Sequence, residues 1–200
     1  MPAIPKAGRL LAARGLTLWD VATGRVERDL QQWTPSHPMD SHMTESTLDS
    51  PVHYATLASL QARVGQPLGS SPWVTVDQRR IDLFAEATGD HQWIHLDAER
   101  AAAGPFGTTI AHGFLTLSLL PELAAKAMVI DDVKMGVNYG LNRVRFTAPV
   151  PLGSRVRGHL RLKAYEPIEG GAMLTMEVTI EREGWPKPAC VAEALSRRYT

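Results

Sequence analysis

The residues best suited to proton chemistry lie between positions 84 and 115. The run Ala87-Thr88-Gly89-Asp90-His91-Gln92-Trp93-Ile94-His95-Leu96-Asp97 is the densest polar cluster, and His112-Gly113 follows seventeen residues after His95. Asp90 and His95 offer an ionised carboxylate and an imidazole, which together can act as an acid–base pair on one water molecule. Their spacing sets a condition. Five residues along a straight helix rotate by about 500°, which leaves the two side chains about 140° apart around the axis. Convergence therefore needs a turn, and Gly89 supplies a helix stop just before Asp90. Which of the two takes the proton stays open, because they titrate as a coupled pair.

A second feature complements the pair. Gly113 opens an apolar run, and the first amides of a helix lack internal partners, so its N–H is the candidate donor to a developing negative charge. Glycine also permits close approach to that backbone. A metal reading competes: His91 and His95 are four apart and, with Asp97, resemble the histidine spacing of zinc hydrolases. Gln92 stands where such a motif has its glutamate base, so no metal is expected. Arg155, Arg157, Arg161 and Lys163 read as a solvated strand face, and Cys190 as a small core residue.

These residues need a scaffold. Tyr54, Leu57, Leu60, Ala62 and Val64 recur at helical spacing up to Gly65, so a helix is expected there. Val74-Thr75-Val76 is β-prone. Asp77 is placed to cap a helix running to Thr88, and Asp97 to cap a short one through Ala103. From Gly113 to about Val129 the chain is apolar nearly all round, which predicts one buried helix that Pro121 kinks or interrupts. Val137-Asn138-Tyr139 and Val144-Arg145-Phe146 read as two short strands. Alternation then predicts strands over Val156–Ala164, Met173–Arg182 and Ala189–Tyr199. Helices followed by four or five antiparallel strands make an α+β layout, with the sheet packed on one central helix.

Composition bounds the function. Two hundred residues suit one domain with an extension, and 21 Lys+Arg balance 21 Asp+Glu, without the basic excess of a nucleic-acid binder. A lone cysteine excludes an internal disulfide framework and suits a reducing compartment, so a cytoplasmic location is expected. The uncharged stretch Gly104–Pro121 is too broken by Pro105, His112 and glycines to span a membrane, and no secretory signal is evident. Residues 1–50, with the breaker-rich stretch Pro35 to Met43, read as a disordered appendage or the product of a mis-called start, and residues 51–200 as the folded domain.

The segment Phe84-Ala85-Glu86-Ala87-Thr88-Gly89-Asp90-His91-Gln92-Trp93-Ile94-His95, with Ile110-Ala111-His112-Gly113-Phe114-Leu115 and Val144-Arg145-Phe146, resembles the MaoC-like hydratases and dehydratases. The family motif runs Asp, any residue, Asn, Pro, aliphatic, His. This chain keeps Asp90, Ile94 and His95 but carries Gln92-Trp93, a departure that resembles the nodulation-protein-N-like subgroup. The resemblance implies a single hot-dog fold, a curved antiparallel sheet wrapped around a central helix. It implies reversible hydration of a trans-2-enoyl-CoA to a (3R)-hydroxyacyl-CoA, without metal or redox cofactor. Asp90 and His95 become the catalytic candidates, and Gly113, Gln92 and His112 the substrate-binding candidates. The expected partners are an acyl-CoA or acyl-carrier-protein thioester and a second copy of the chain, with neither nucleic acid nor membrane. A hot-dog thioesterase and a non-catalytic acyl-thioester-binding module are the alternatives.

Overall fold

The computed structural model describes residues 50–200. The appendage expected over residues 1–50 lies, apart from Ser50, outside the described residues. The described part begins with β1 (Val52–Tyr54), a 3-10 helix over Leu57–Arg63, β2 (Pro67–Ser70) and β3 (Val74–Thr75). The 3-10 helix replaces the longer α-helix expected up to Val64. The physical reason is visible in the spacing: Tyr54, Leu57 and Leu60 recur every three residues, the 3-10 period, while Ala62 and Val64 are exposed. Gly65 then turns with φ +82°, and its N–H donates to the Leu162 carbonyl at 2.7 Å.

α1 (Gln78–Thr88) follows the expected limits. The Asp77 carboxylate accepts from the Arg80 amide at 2.9 Å, and Gly89 closes the helix at φ 74°. Next come α2 (Trp93–Leu96) and α3 (Ala98–Ala102), the latter capped by Asp97 as expected. The single helix expected from Gly113 is two, α4 (Gly113–Ser118) and α5 (Leu120–Ala127), meeting at Leu119 with Pro121 in the first turn of α5. Proline is tolerated there because first-turn amides have no helical acceptor. Arg80 ties α1 to α5 through a 2.8 Å ion pair with Glu122, whose carboxyl Arg80 and Lys126 hold down to about 2.

β4 (Met128–Ile130) ends this helical run and pairs in parallel with β1 as a separate two-stranded sheet. The main sheet is antiparallel, with β2, β6 (Arg155–Ile168), β7 (Gly171–Arg182), β8 (Cys190–Tyr199) and β5 (Met135–Phe146) in that order, and β3 also on β6. It has six strands, not four or five. β5 is one strand of twelve residues where two short ones were expected. Register shifts on the β5–β8 ladder lie between Asn138 and Gly140 and between Leu141 and Arg143. Such bulges interrupt the sequence alternation without ending the strand, which is why the pattern read as two pieces.

Alternate residues of the sheet, including Val156, Leu160, Leu162, Leu174, Val178 and Ile180, form the core with Leu115, Leu119, Leu123 and Ala127 of α4 and α5. Gly158 lets helix and sheet approach: a Cβ there would lie 3.0 Å from Cβ of Leu123. A sheet packed on a helical run in this way is the hot-dog arrangement. The helix is not buried all round, however. Phe114 is 66% exposed, Leu117 and Leu120 are half-buried, and the neighbouring edge strand β5 exposes Met135, Val137, Tyr139, Leu141 and Phe146. Among the described residues no helix is long and apolar enough to cross a membrane.

Candidate active site

Three chain segments meet at the N-terminal end of α4. Asp90 follows the left-handed Gly89, His95 comes from α2, and His112 immediately precedes Gly113. One ligand-type atom of each side chain, a carboxylate oxygen and two ring nitrogens, lies within 4.8 Å of the others. The turn required between Asp90 and His95 is present, in a form not anticipated. The chain is non-helical through Gln92, whereas His95 sits in a single helical turn that swings it back toward Asp90.

His95 is held from several directions. Its Nδ1 lies 2.7 Å from the Ile110 carbonyl, and because a carbonyl only accepts, Nδ1 carries the proton. Nε2 of the neutral ring is then a free lone pair. The Ile94 carbonyl accepts from the Ile110 amide at 3.0 Å, so both backbone polar groups of Ile110 are bound to the α2 turn. Behind it, Gln78 donates to the His95 carbonyl at 2.9 Å and accepts from Thr109 at 2.7 Å. His95 is 6% exposed. Desolvation pulls its pKa below 6.5, outweighing the opposing pull of the Ile110 bond and Asp90. The imidazole is therefore neutral at neutral pH, the form that accepts a proton.

His112 locks the two together. It is 2% exposed, its Nε2 donates to the Asp90 carbonyl at 2.9 Å, and its ring stacks on His95 with centroids 3.7 Å apart at 26°. Phe84 flanks it at 5.0 Å. The Nδ1 of His112 is buried without a partner. The alternative metal set does not assemble: His91 turns outward, 3.4 Å from Glu86, and Asp97 caps α3.

The substrate-binding candidates separate. Gly113 stands beside His112 as the first residue of α4, and a Cβ on it would meet the Phe146 ring at 2.8 Å. Glycine is required here by that ring. Gln92 is exposed and precedes α2, with no capping bond from its side chain. Trp93 packs against Gly104 and under Arg100, whose guanidinium lies 4.3 Å from the ring centroid. Trp93 alone of the Gln92-Trp93 pair thus braces α3 and the turn after it. Sequence reasoning missed Gln78 and Thr109; nothing local marks them, since Gln78 reads as an ordinary first-turn residue. Cys190 is buried, and desolvation pushes its thiol to about 12.

A hot-dog fold with a carboxylate–imidazole cluster at the start of its helix defines a class, and comparison with known proteins specifies the family. The MaoC-like domain matches residues 59–183. Over 145 residues the chain is 55% identical to 3-hydroxyacyl-thioester dehydratase Z of Mycobacterium tuberculosis, covering 72% of this chain and 96% of that protein. It is 54% identical over 145 residues to nodulation protein N of Rhizobium leguminosarum, covering 70% and 89%. Among solved structures, the (R)-hydratase PhaJ1 of Pseudomonas aeruginosa superposes with a TM-score of 0.57 at 27% identity, covering 72% of this chain and 85% of that one. This chain belongs to the MaoC-like dehydratase family.

Proposed function

We propose that the protein reversibly hydrates a trans-2-enoyl-CoA to a (3R)-hydroxyacyl-CoA, and that residues 51–200 are its catalytic domain. The observation that carries this reading is the junction of Asp90, His95 and His112 within 4.8 Å, with Nδ1 of His95 bound to a carbonyl and Nε2 left open. A water held between the Asp90 carboxylate and Nε2 of His95 attacks Cβ. Its proton moves to Nε2 as the O–Cβ bond forms, and the π electrons shift to Cα and onto the thioester oxygen. The Gly113 N–H donates to that oxygen. The imidazolium then returns its proton to Cα, restoring the neutral ring and completing the addition of one water. Proton transfers alone balance this sequence, so the donor set needs no metal or redox cofactor.

A second copy completes the unit. β5 is an edge strand of twelve residues, and its apolar side chains together with Phe114 form an exposed patch next to α4. Open edges of this kind are normally covered, and a two-fold pairing of β5 covers both copies at once. The lone cysteine suits a reducing compartment, and on that ground the proposed location is the cytoplasm.

The direct test is loss of enoyl absorbance on adding the protein to crotonyl-CoA and longer enoyl-CoAs. Turnover is expected in the native chain, with Asp90→Asn and His95→Gln each lowering it by about 10²–10⁴-fold while circular dichroism shows the fold retained. Full turnover in either variant would discard the assignment. Release of free thiol would place the protein among thioesterases instead.

A further inference from the structure

The end of β8 departs from the rule that its inward positions obey. Cys190, Ala192, Ala194 and Ser196 alternate as small buried residues, and the next inward position is Arg198. Its Nε is buried without a hydrogen-bond partner, and it forms no ion pair among the described residues. Gly136, opposite it on β5, leaves room for the guanidinium, which any Cβ there would displace. An arginine cannot shed its charge by releasing a proton, so this is an uncompensated cation on the core side of a sheet.

The cation faces a cavity. About 370 Å³ lies between the helical run and the sheet, walled by apolar residues including Leu117, Leu120, Leu160 and Met176. Its polar lining includes Asn138, Ser196 and Arg198, and none of its lining residues is acidic. That volume falls within the usual range for small-molecule sites. The cavity is also in line with the proposed active site. Gly113, Leu117, Leu120 and Ala124 recur at intervals of four, three and four, so they form one stripe down the helical run from the proposed oxyanion donor. On the sheet, Cys190 pairs with Phe146, the residue against Gly113, whereas Arg198 lies eight positions further along β8.

We propose that this cavity takes the acyl chain and that Arg198 receives a carboxylate at its far end. The preferred substrates are then thioesters of ω-carboxy-2-enoic acids. The substrate class rests on the hydration reading above, whereas the anion site can be read by binding alone. Two sources could supply the carboxylate, the acyl chain or an acidic side chain of a second copy, and the observations favour the chain because the apolar lining from Leu117 to Ala124 follows the helical run that starts at Gly113.

The test uses the full-length protein and pairs of acyl-CoAs of equal carbon count, one ending in methyl and one in carboxylate. Calorimetry measures binding of the saturated pair, and steady-state kinetics the hydration of the trans-2-enoyl pair. The native protein should favour the carboxylate-ended member by about tenfold or more in both measurements. Arg198→Met should erase or reverse that preference while methyl-ended turnover persists, and Arg198→Lys should keep part of it. Equal binding of both members by the native protein would overturn the proposal. So would dissociation of an oligomer in Arg198→Met with equal losses for both ligands, the signature of a subunit contact. Hydration of methyl-ended substrates without a carboxylate preference removes only the Arg198 assignment. A carboxylate preference in binding without turnover of any enoyl thioester removes only the hydration reading.

Discussion

Two histidines of this protein have similar neighbours and different fates. On the outer face of the sheet, His159 lies 2.7 Å from the Ser70 hydroxyl through Nδ1 and 2.8 Å from Glu181 through Nε2, and Arg157 binds the same carboxylate at 2.6 Å. Arg157 also lies over Trp73, 4.4 Å from the ring centroid. Taken alone, serine, histidine and glutamate in contact would suggest a nucleophile triad. Yet both nitrogens of His159 are engaged, and Arg157 shares the carboxylate. At the start of α4, by contrast, His95 uses Nδ1 to hold its orientation and keeps Nε2 open beside Asp90. Saturated polar networks stabilise a fold, whereas a group held in place with capacity to spare is equipped for chemistry.

Parallel substitution breaks or upholds this contrast. The largest expected effect is in enoyl-CoA turnover: Asp90→Asn should cost about 10²–10⁴-fold, while Glu181→Gln should leave kcat/KM close to native. A comparable loss in Glu181→Gln would erase the distinction. His112→Gln removes the stacked ring and the bond to the Asp90 carbonyl, with an expected fall in kcat of about tenfold at little change in KM. A change confined to KM would instead make His112 a binding residue. Glu181→Gln should show itself in stability, lowering unfolding free energy by about 1–3 kcal/mol in urea titrations because Arg157 and His159 lose a half-buried carboxylate partner.

The smallest effect is in pH dependence, and it arises at His95. Desolvation depresses the His95 pKa below 6.5. As pH falls below 6.5, the unfolded chain takes up a proton at this residue before the folded one does, so this contribution to stability is present above 6.5 and lost below it. His95→Gln should flatten that slope in pH-dependent melting curves. In the native enzyme, the acid limb of kcat/KM should begin below pH 6.5. An acid limb beginning above that value would contradict a neutral, desolvated His95.

How much of this was legible depended on distance along the chain. Asp77, Gly89 and Asp97 act on amides or turns within a few residues of themselves, and the limits of α1 and α3 were readable from them. The long apolar run after Gly113 announced a helix against the sheet, but its break at Leu119 and its half-open face depend on what lies across from it. The bulges of β5 are properties of its ladder with β8, and so a single strand read as two. The basic stripe on β6 was expected to be a solvated face; what the sequence did not show is that acids from β7, the turn after it and β8 pair with it, Arg157 with Glu181, Arg155 with Glu183 and Lys163 with Glu193.

The amino-acid order by itself determined the residue types of the site, the turn at Gly89 that frees Asp90 from α1, and the alternation that builds the sheet. These follow from steric and hydrogen-bonding preferences acting within a few residues. Only the tertiary structure decided which nitrogen of His95 is free, since Ile110 reaches it across fifteen positions, and that Arg198, inward by strand alternation, has no ion-pair partner among the described residues. Burial and partner choice are set by all the elements packed around a group at once, and no short stretch of sequence contains them.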